Sequence, residues 1–372
     1  MSSNFRSDIR FIKLALELAK RQIGQTGANP SVGCVIVKKD RIIGRGVTGQ
    51  GGQPHAEMEA LTNANESCKG ATMFVTLEPC SHFGKTPPCV DKIIAAQISR
   101  IVCPLIDPDP RVSGTGFEKL KGANIEVDVI PIAREWAEDV ARGFISRLVK
   151  DRPFVTVKLA MSIDGKIATE SGESKWITNK FARAHSHLLR VKNDAILVGT
   201  NTFLKDNPEL TARGTFERYC NPLRIFLDQH LKIFPSDAML KNLTNSPAMI
   251  VCGINPNLNN LKIWRDSGVE ILKVTSSDRG IKLTKLFENL AKKGLNSVLV
   301  EGGGTLVQSL LLARLIDELI VHRSGLILGS NGIPSVYEFE KMSQEIGVFP
   351  RMKLQSVNEY DDNIETIWKP EM

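Results

Sequence analysis

At 372 residues the chain is longer than one ordinary hydrophobic core and comfortable for two domains. With 42% hydrophobic and 24% charged residues its composition is that of an ordinary globular protein, and no run approaches the roughly 20 apolar residues of a membrane span. The net charge of +7 is scattered among acids without a basic run, which argues against a nucleic-acid binder and for a basic enzyme of phosphorylated metabolites.

Asp8 to Ile23 places Ile9, Ile12, Leu16, Ala19 and Ile23 at helical spacing and predicts an amphipathic helix closed by Gly24. Val32 to Val37 and Arg41 to Arg45, joined through Lys39 and Asp40, predict a hairpin. A helix over Glu57 to Ala64, a strand over Thr72 to Leu77, a helix over Val90 to Ala96 and strands over Arg100 to Cys103 and Ile125 to Val129 complete an alternating α/β layer. Pro131 to Val149 predicts a helix that runs into a charged, proline-stopped joint, Lys150 to Pro153, and the boundary between domains 1–149 and 150–372 is placed there. Beyond it, strands are expected at Phe154 to Ala160, Ala195 to Val198, Leu223 to Leu227, Ala248 to Cys252, Val269 to Val274 and Ser297 to Val300. Most are separated by stretches of suitable length for crossovers, so a second α/β domain with a largely parallel sheet follows.

The chemistry-bearing residues of the first domain fall where strands meet helices. His55-Ala56-Glu57 follows a proline, and Pro79-Cys80 and Pro88-Cys89 come later. One imidazole and two thiolates leave the fourth position of a tetrahedral zinc open for water, whose pKa falls from about 15.7 toward about 7. Hydroxide can then attack an amidine-like carbon bearing an exocyclic amine, with Glu57 carrying the proton from water to the departing ammonia. This is the layout of a zinc deaminase, with one departure. The generic pattern closes as Pro-Cys-x-x-Cys, whereas eight residues, Ser81 to Pro88, separate Cys80 from Cys89. Pro87 and Pro88 stiffen the end of that insertion, so Cys89 can open a helix. A structural zinc site would need a fourth protein ligand, for which His82 is the nearest candidate; facing a substrate is the better assignment for it.

Seven cysteines, an odd number of which two go to metal, indicate a reducing cytosol, and Cys34, Cys103 and Cys252 in apolar runs read as core. Met1 to Arg10 is charged and lacks an apolar stretch, so export is not expected. In the second domain, Ser297 to Val300 ends in Glu301-Gly302-Gly303-Gly304-Thr305 ahead of a helix over Leu306 to Arg314. Glycines there let backbone N–H groups reach a phosphate, yet they fit a mere tight turn as well and do not form the G-x-G-x-x-G fingerprint. Ser174 and Trp176, taken alone, read as a helix cap and a core residue.

Together these motifs point to one family. Gly27-Ala28-Asn29-Pro30-Ser31-Val32-Gly33-Cys34, His55-Ala56-Glu57, Leu77-Glu78-Pro79-Cys80 and Gly84-Lys85-Thr86-Pro87-Pro88-Cys89 closely resemble the deaminase half of the bifunctional riboflavin-biosynthesis deaminase–reductases. Lys158, Ser162-Ile163-Asp164-Gly165-Lys166, Ser174-Lys175-Trp176-Ile177-Thr178, Asp206-Asn207-Pro208, Leu210-Thr211 and Glu301 to Thr305 resemble the reductase half. The resemblance spans nearly the whole chain. It implies a cytidine-deaminase-like three-layer α/β/α domain followed by a dihydrofolate-reductase-like α/β domain, with zinc and NADPH as cofactors. It also implies the reactions: hydrolytic deamination of 2,5-diamino-6-ribosylamino-4(3H)-pyrimidinone 5′-phosphate to a uracil, then reduction of the ribosyl group to ribityl. The insertion between the cysteines is the family's own feature.

By the same resemblance Asn29, His82 and Lys85 line the deaminase pocket, Lys85 bringing charge to a phosphate. Lys158, Ser174, Arg190, Leu210, Arg213 and Glu301 would hold the reductase substrate, and Ala160, Trp176, Thr202, Asp206, Gly303, Gly304 and Thr305 the cofactor. The expected partners are phosphorylated pyrimidines and further copies of the chain in the cytoplasm, without nucleic acid or membrane. A nucleobase or transfer-RNA-editing deaminase would need a basic or aromatic groove, and the aromatic content is 6% with no basic stripe. A zinc-stabilised binding module would have a fourth protein ligand and no need of Glu57.

Overall fold

The structure, a computed structural model, describes residues 3–84, 87–110, 112–212, 221–241, 243–278, 280–337 and 349–371. Two units emerge, Met1–Arg152 and Pro153–Met372. The first comprises α1 (Ser3–Lys20), β1 (Gly33–Lys38), β2 (Arg41–Val47), α2 (Ala56–Thr62), β3 (Thr72–Val75), α3 (Cys89–Ala95), β4 (Arg100–Cys103), α4 (Thr115–Gly122), β5 (Glu126–Val129) and α5 (Arg134–Val149). Its strands form one sheet in the order β2-β1-β3-β4-β5, antiparallel around β1 and parallel from β3 to β5.

Two glycines set the spacing of the layers. A Cβ on Gly33 would lie 1.9 Å from the Ala15 carbonyl oxygen of α1, and one on Gly46 would lie 2.1 Å from the Ala56 carbonyl oxygen of α2. Gly46 pairs with Cys34, the neighbour of Gly33, so α1 and α2 cover opposite faces. α1 packs with α5, and α3 with α2 and α4, which gives the three-layer α/β/α arrangement. Arg100 of β4 fastens α1 to the sheet edge, donating to both carboxylate oxygens of Asp8 at 3.1 and 2.8 Å and to Asp128 at 2.7 Å. The sequence reading leaves α4 unassigned. Only Gly116, Phe117 and Leu120 are buried there, too few to set up a periodic signal.

The second unit begins with β6 (Phe154–Met161), β7 (Lys166–Ala168), α6 (Lys180–Val191), β8 (Ala195–Gly199), α7 (Thr200–Asp206), β9 (Leu223–Leu227), α8 (Asp237–Leu240), β10 (Ala248–Cys252) and α9 (Leu258–Asp266). It continues with β11 (Glu270–Lys273), β12 (Ser276–Ser277), β13 (Gly280–Ile281), α10 (Leu283–Lys292), β14 (Ser297–Val300), α11 (Gly304–Leu312), β15 (Glu318–Ser324), β16 (Ile333–Pro334), β17 (Met352–Tyr360) and β18 (Asn363–Pro370). Nine strands lie in the order β11-β10-β9-β8-β14-β6-β15-β18-β17. They are parallel from β11 to β15 and antiparallel at β18 and β17, so the largely parallel sheet expected up to Val300 is extended by three strands the sequence reading omits. β15 and β18 carry His322, Arg323 and Glu365 among their apolar residues, which breaks the run that marks a buried parallel strand.

Alternation along β6 separates the two faces of this sheet. Val155, Val157, Leu159 and Met161 join the core formed with α10 and α11. Lys158 and Ala160 therefore point to the other face, where Leu189 of α6, Phe203 of α7 and Trp264 of α9 pack. Among the described residues no helix is long and apolar enough to cross a membrane.

Candidate active sites

His55 stands at the N-cap of α2 with extended backbone, and Glu57 occupies the first turn, buried. Cys80 lies in the loop after β3, and Cys89 is the first residue of α3, with Pro88 as its N-cap. The return of the insertion brings the Cys89 backbone N–H to 3.4 Å from the Cys80 sulfur. His55 Nδ1 lies 3.6 Å from Cys80 Sγ and 3.4 Å from Cys89 Sγ. Bonds of about 2.05 Å to nitrogen and about 2.3 Å to sulfur around a tetrahedral zinc set such atoms about 3.6 Å apart, so the triangle has the size zinc requires.

The electrostatics agree. The two thiols compete for one proton: Cys80 is drawn down to about 4, first by its hydrogen bond with the Cys89 thiol and then by His55, against burial. Cys89 is pushed up by the same contact and by burial. A dication held by the three would resolve that competition, because a coordinating thiol is deprotonated outright. Burial pushes the Glu57 carboxyl up to about 7, with the Cys80 charge adding to it, which leaves the group able to accept and release a proton near neutrality. Glu57 is not in the ligand triangle.

A cavity of about 400 Å³ opens on this centre, lined by Asn29, His55, Glu57, Cys80 and His82. Asn29 is fixed by donating its amide to the Gly52 carbonyl at 2.9 Å, and the Nδ1 of His82 is buried without a hydrogen-bond partner among the described residues. Lys85 lies outside the described residues. Asp107, Asp109 and Arg147 also line the wall and go unnoticed in the sequence, although an acid-proline pair repeated just after a strand, Asp107-Pro108-Asp109-Pro110, is a usable signal. The loop bearing the two aspartates is held by Glu78, whose buried carboxylate accepts from the backbone N–H groups of Asp107, Gly114, Gly116 and Phe117 at 2.9 to 3.3 Å. Burial raises the Asp107 carboxyl to about 6.

The second unit holds a larger cavity, about 1390 Å³, at the C-terminal ends of its parallel strands. Every described residue assigned from the sequence to the reductase pocket lines it, namely Lys158, Ala160, Ser174, Trp176, Arg190, Thr202, Asp206, Leu210 and Glu301 with Gly303, Gly304 and Thr305; Arg213 falls outside the described residues. Glu301, just beyond β14, is gripped by Arg190 of α6 in a two-pronged pair at 2.7 and 2.7 Å. Burial would raise the Glu301 carboxyl, but the Arg190 charge and hydrogen bonds hold it at about 2. Burial lowers the pKa of Lys158.

Two readings of isolated residues change. Trp176 is 69% exposed at the cavity wall under the Arg183 guanidinium, 4.4 Å from its ring centre, and is no core residue. The cap of α6 is Asn179, which accepts from Phe181 and Ala182, and not Ser174. The glycine turn also resolves. Gly303 has φ −76° and a Cβ there would meet nothing nearer than Thr202 Oγ1 at 3.9 Å, whereas one on Gly304 would lie 2.9 Å from the Pro334 carbonyl oxygen. Gly304 is thus small for packing, and Gly303 leaves room on the cavity side.

A second cluster of ligand-type residues sits on the Lys158 face of the sheet. His185 Nδ1 and His322 Nε2 lie 2.6 and 2.7 Å from one oxygen of Glu365, whose other oxygen accepts from Asn358 at 3.0 Å. These separations are those of hydrogen bonds and are well short of the edges of the zinc triangle.

Residues 5–105 match the family model of the cytidine and deoxycytidylate deaminase zinc-binding region, and residues 153–366 match that of the RibD C-terminal domain. The chain is 40% identical to the riboflavin biosynthesis protein RibD of Aquifex aeolicus over 91% of its own length and 94% of that protein's. It is 37% identical to the Escherichia coli protein of the same name, with 94% and 96% covered. RibD of Acinetobacter baumannii, form 2, has TM-score 0.88 at 34% identity, covering 99% of this chain and 100% of that one. The Thermotoga maritima diaminohydroxyphosphoribosylaminopyrimidine deaminase/5-amino-6-(5-phosphoribosylamino)uracil reductase has TM-score 0.84 at 35% identity, covering 98% and 99%. Fold, ligand triangle and matches define a zinc-binding deaminase fused to a reductase. The chain belongs to the RibD family, the bifunctional deaminase–reductases of riboflavin biosynthesis.

Proposed function

We propose that the first unit deaminates 2,5-diamino-6-ribosylamino-4(3H)-pyrimidinone 5′-phosphate with zinc, and that the second reduces the ribosyl group of the resulting uracil to ribityl with NADPH. The observation that carries this reading is the triangle of His55, Cys80 and Cys89 with the buried Glu57 carboxyl beside it. Zinc held there supplies a hydroxide nucleophile at neutral pH. Glu57 takes a proton at its carboxylate and returns it to the leaving amine, while Asn29 and the unpartnered Nδ1 of His82 face the substrate and Lys85 brings charge to its phosphate. In the second unit NADPH supplies the hydride. Ala160, Trp176, Thr202, Asp206 and the Gly303 to Thr305 turn hold the cofactor; Ser174, Leu210, Arg213 and the Arg190–Glu301 pair hold the substrate. Lys158, whose ammonium is destabilised by burial, is suited to release a proton as the ribosylamine is reduced. The cytoplasm is the compartment that keeps both ligand thiols reduced.

Incubation with the diaminopyrimidinone phosphate, with and without NADPH, tests the proposal: ammonia is expected in both cases, and loss of NADPH absorbance only after ammonia has appeared. The order is the one the family resemblance implies, and the ring carbonyl that replaces an amine gives the reductase pocket a means to enforce it. A pocket that hydrogen-bonds the carbonyl leaves a buried partner unpaired when the amine is there instead. Glu57→Gln protein should therefore oxidise NADPH with the uracil and hardly at all with the diaminopyrimidinone; equal oxidation refutes the order.

The two activities are further proposed to be separable at the Lys150 to Pro153 joint. A 1–149 fragment is expected to bind zinc and release ammonia, and a 150–372 fragment to reduce the uracil without added metal. If neither fragment folds under any condition, the boundary is wrong.

A further inference from the structure

We propose that Arg147 reads the phosphate of the deaminase substrate, an inference that rests on the deaminase function proposed above. Arg147 belongs to the last turn of α5 and lines the cavity over the zinc triangle. Among the described residues it is the only lysine or arginine that does so; the other ionisable groups lining that cavity are His55, His82, Cys80, Glu57, Glu78, Asp107 and Asp109. A zinc ion with two thiolates is neutral as a unit, and the carboxylates around it make the cavity acidic. Such a cavity repels a phosphate dianion unless cations stand where the phosphate enters, a task Arg147 would share with Lys85.

The guanidinium is also fixed in place. Its Nη2 donates to the Ala28 carbonyl at 2.7 Å, and its Cζ lies 5.6 Å from the centre of the Phe144 ring. Ala28 precedes Asn29, so the fork is fastened to the loop that faces the substrate. A planar, pre-positioned guanidinium beside the cavity brings phosphate oxygens a fixed positive charge. The consequence is a preference for the phosphorylated compound over the same molecule without its phosphate.

Calorimetric binding in the Glu57→Gln full-length background tests this without turnover. Adding Arg147→Gln should weaken binding of the diaminopyrimidinone phosphate by about 10- to 100-fold, the range for a lost charge-assisted contact. Binding of the dephosphorylated compound should stay nearly unchanged, and Arg147→Lys, which keeps the charge without the fork, should fall between. Zinc content checks that each variant is folded, and the lysine variant carries the comparison should the glutamine variant lose its metal. Equal weakening for both ligands would mean that Arg147 only props the Ala28 loop and would overturn the proposal, as would no weakening for either. If wild-type protein released no ammonia, the deaminase function would fall while the phosphate preference stood on its own measurement.

Discussion

Glu57→Gln protein is expected to keep its zinc and lose deamination by about 100-fold or more, the scale of a missing general acid–base group. The substitution is nearly isosteric, so the buried start of α2 keeps its packing. His55, Cys80 and Cys89 form the ligand triangle without Glu57, so metal content should not change. What disappears is a carboxyl that burial and the Cys80 charge bring to about 7, where the charged and neutral forms are both accessible. An amide offers neither form. Metal analysis beside ammonia release measures both halves of the claim, and substantial ammonia from the zinc-loaded variant would exclude the assigned role.

Gly303→Val is expected to abolish most NADPH binding and ribosyl reduction while leaving ammonia release intact. The turn follows the end of β14, and the N–H groups of Gly304 and Thr305 come before the first helical bonds, which Leu306 and Val307 make to the Gly303 carbonyl. Because a Cβ at Gly303 would find only Thr202 at 3.9 Å, the valine should be tolerated by the fold and should project into the cavity instead. Gly304 would make a poor probe, since a side chain there would strike Pro334 and Tyr337 whether or not a cofactor bound. Titration of NADPH and NADH against wild type and variant separates two claims. Unchanged NADPH affinity in the variant removes the turn from the cofactor site, and equal use of NADH removes the cofactor preference.

The sequence discloses the zinc triangle because each ligand sits beside a proline that starts or ends an element, and because the histidine and glutamate are two positions apart. It discloses β1, β3, β4, β8, β10 and β14 because these buried strands are near-continuous apolar runs. Ser174 and Trp176 mislead when read singly: a serine ahead of a helix and a lone tryptophan have commoner structural uses, and the true cap, Asn179, lies five residues on. Arg190 and Glu301 are 111 positions apart, so nothing local announces that they pair. Arg147 likewise looks like one more surface arginine on a helix until the fold brings α5 to the Ala28 loop, 119 positions away. Asp107 and Asp109 acquire their positions through the grip of Glu78 on the loop between β4 and α4 and the bond from the Asp109 N–H to the Asp107 carboxylate.

Asn179, at the head of α6, donates to the Tyr360 carbonyl of β17, and its own N–H bonds Asn363 of β18 across 184 positions. His185 in the same helix likewise waits for Glu365. During synthesis the ribosome releases these partners long after α6 has emerged, whereas the five strands of the first unit are all complete by Val129. Contacts of such long sequence separation form slowly, and N-terminal domains fold first on the ribosome. The head of α6 therefore stays without these partners through most of biosynthesis, while the sheet of the deaminase half is already whole, and only its far end, through Leu189 in the core and Arg190 on Glu301, is moored sooner.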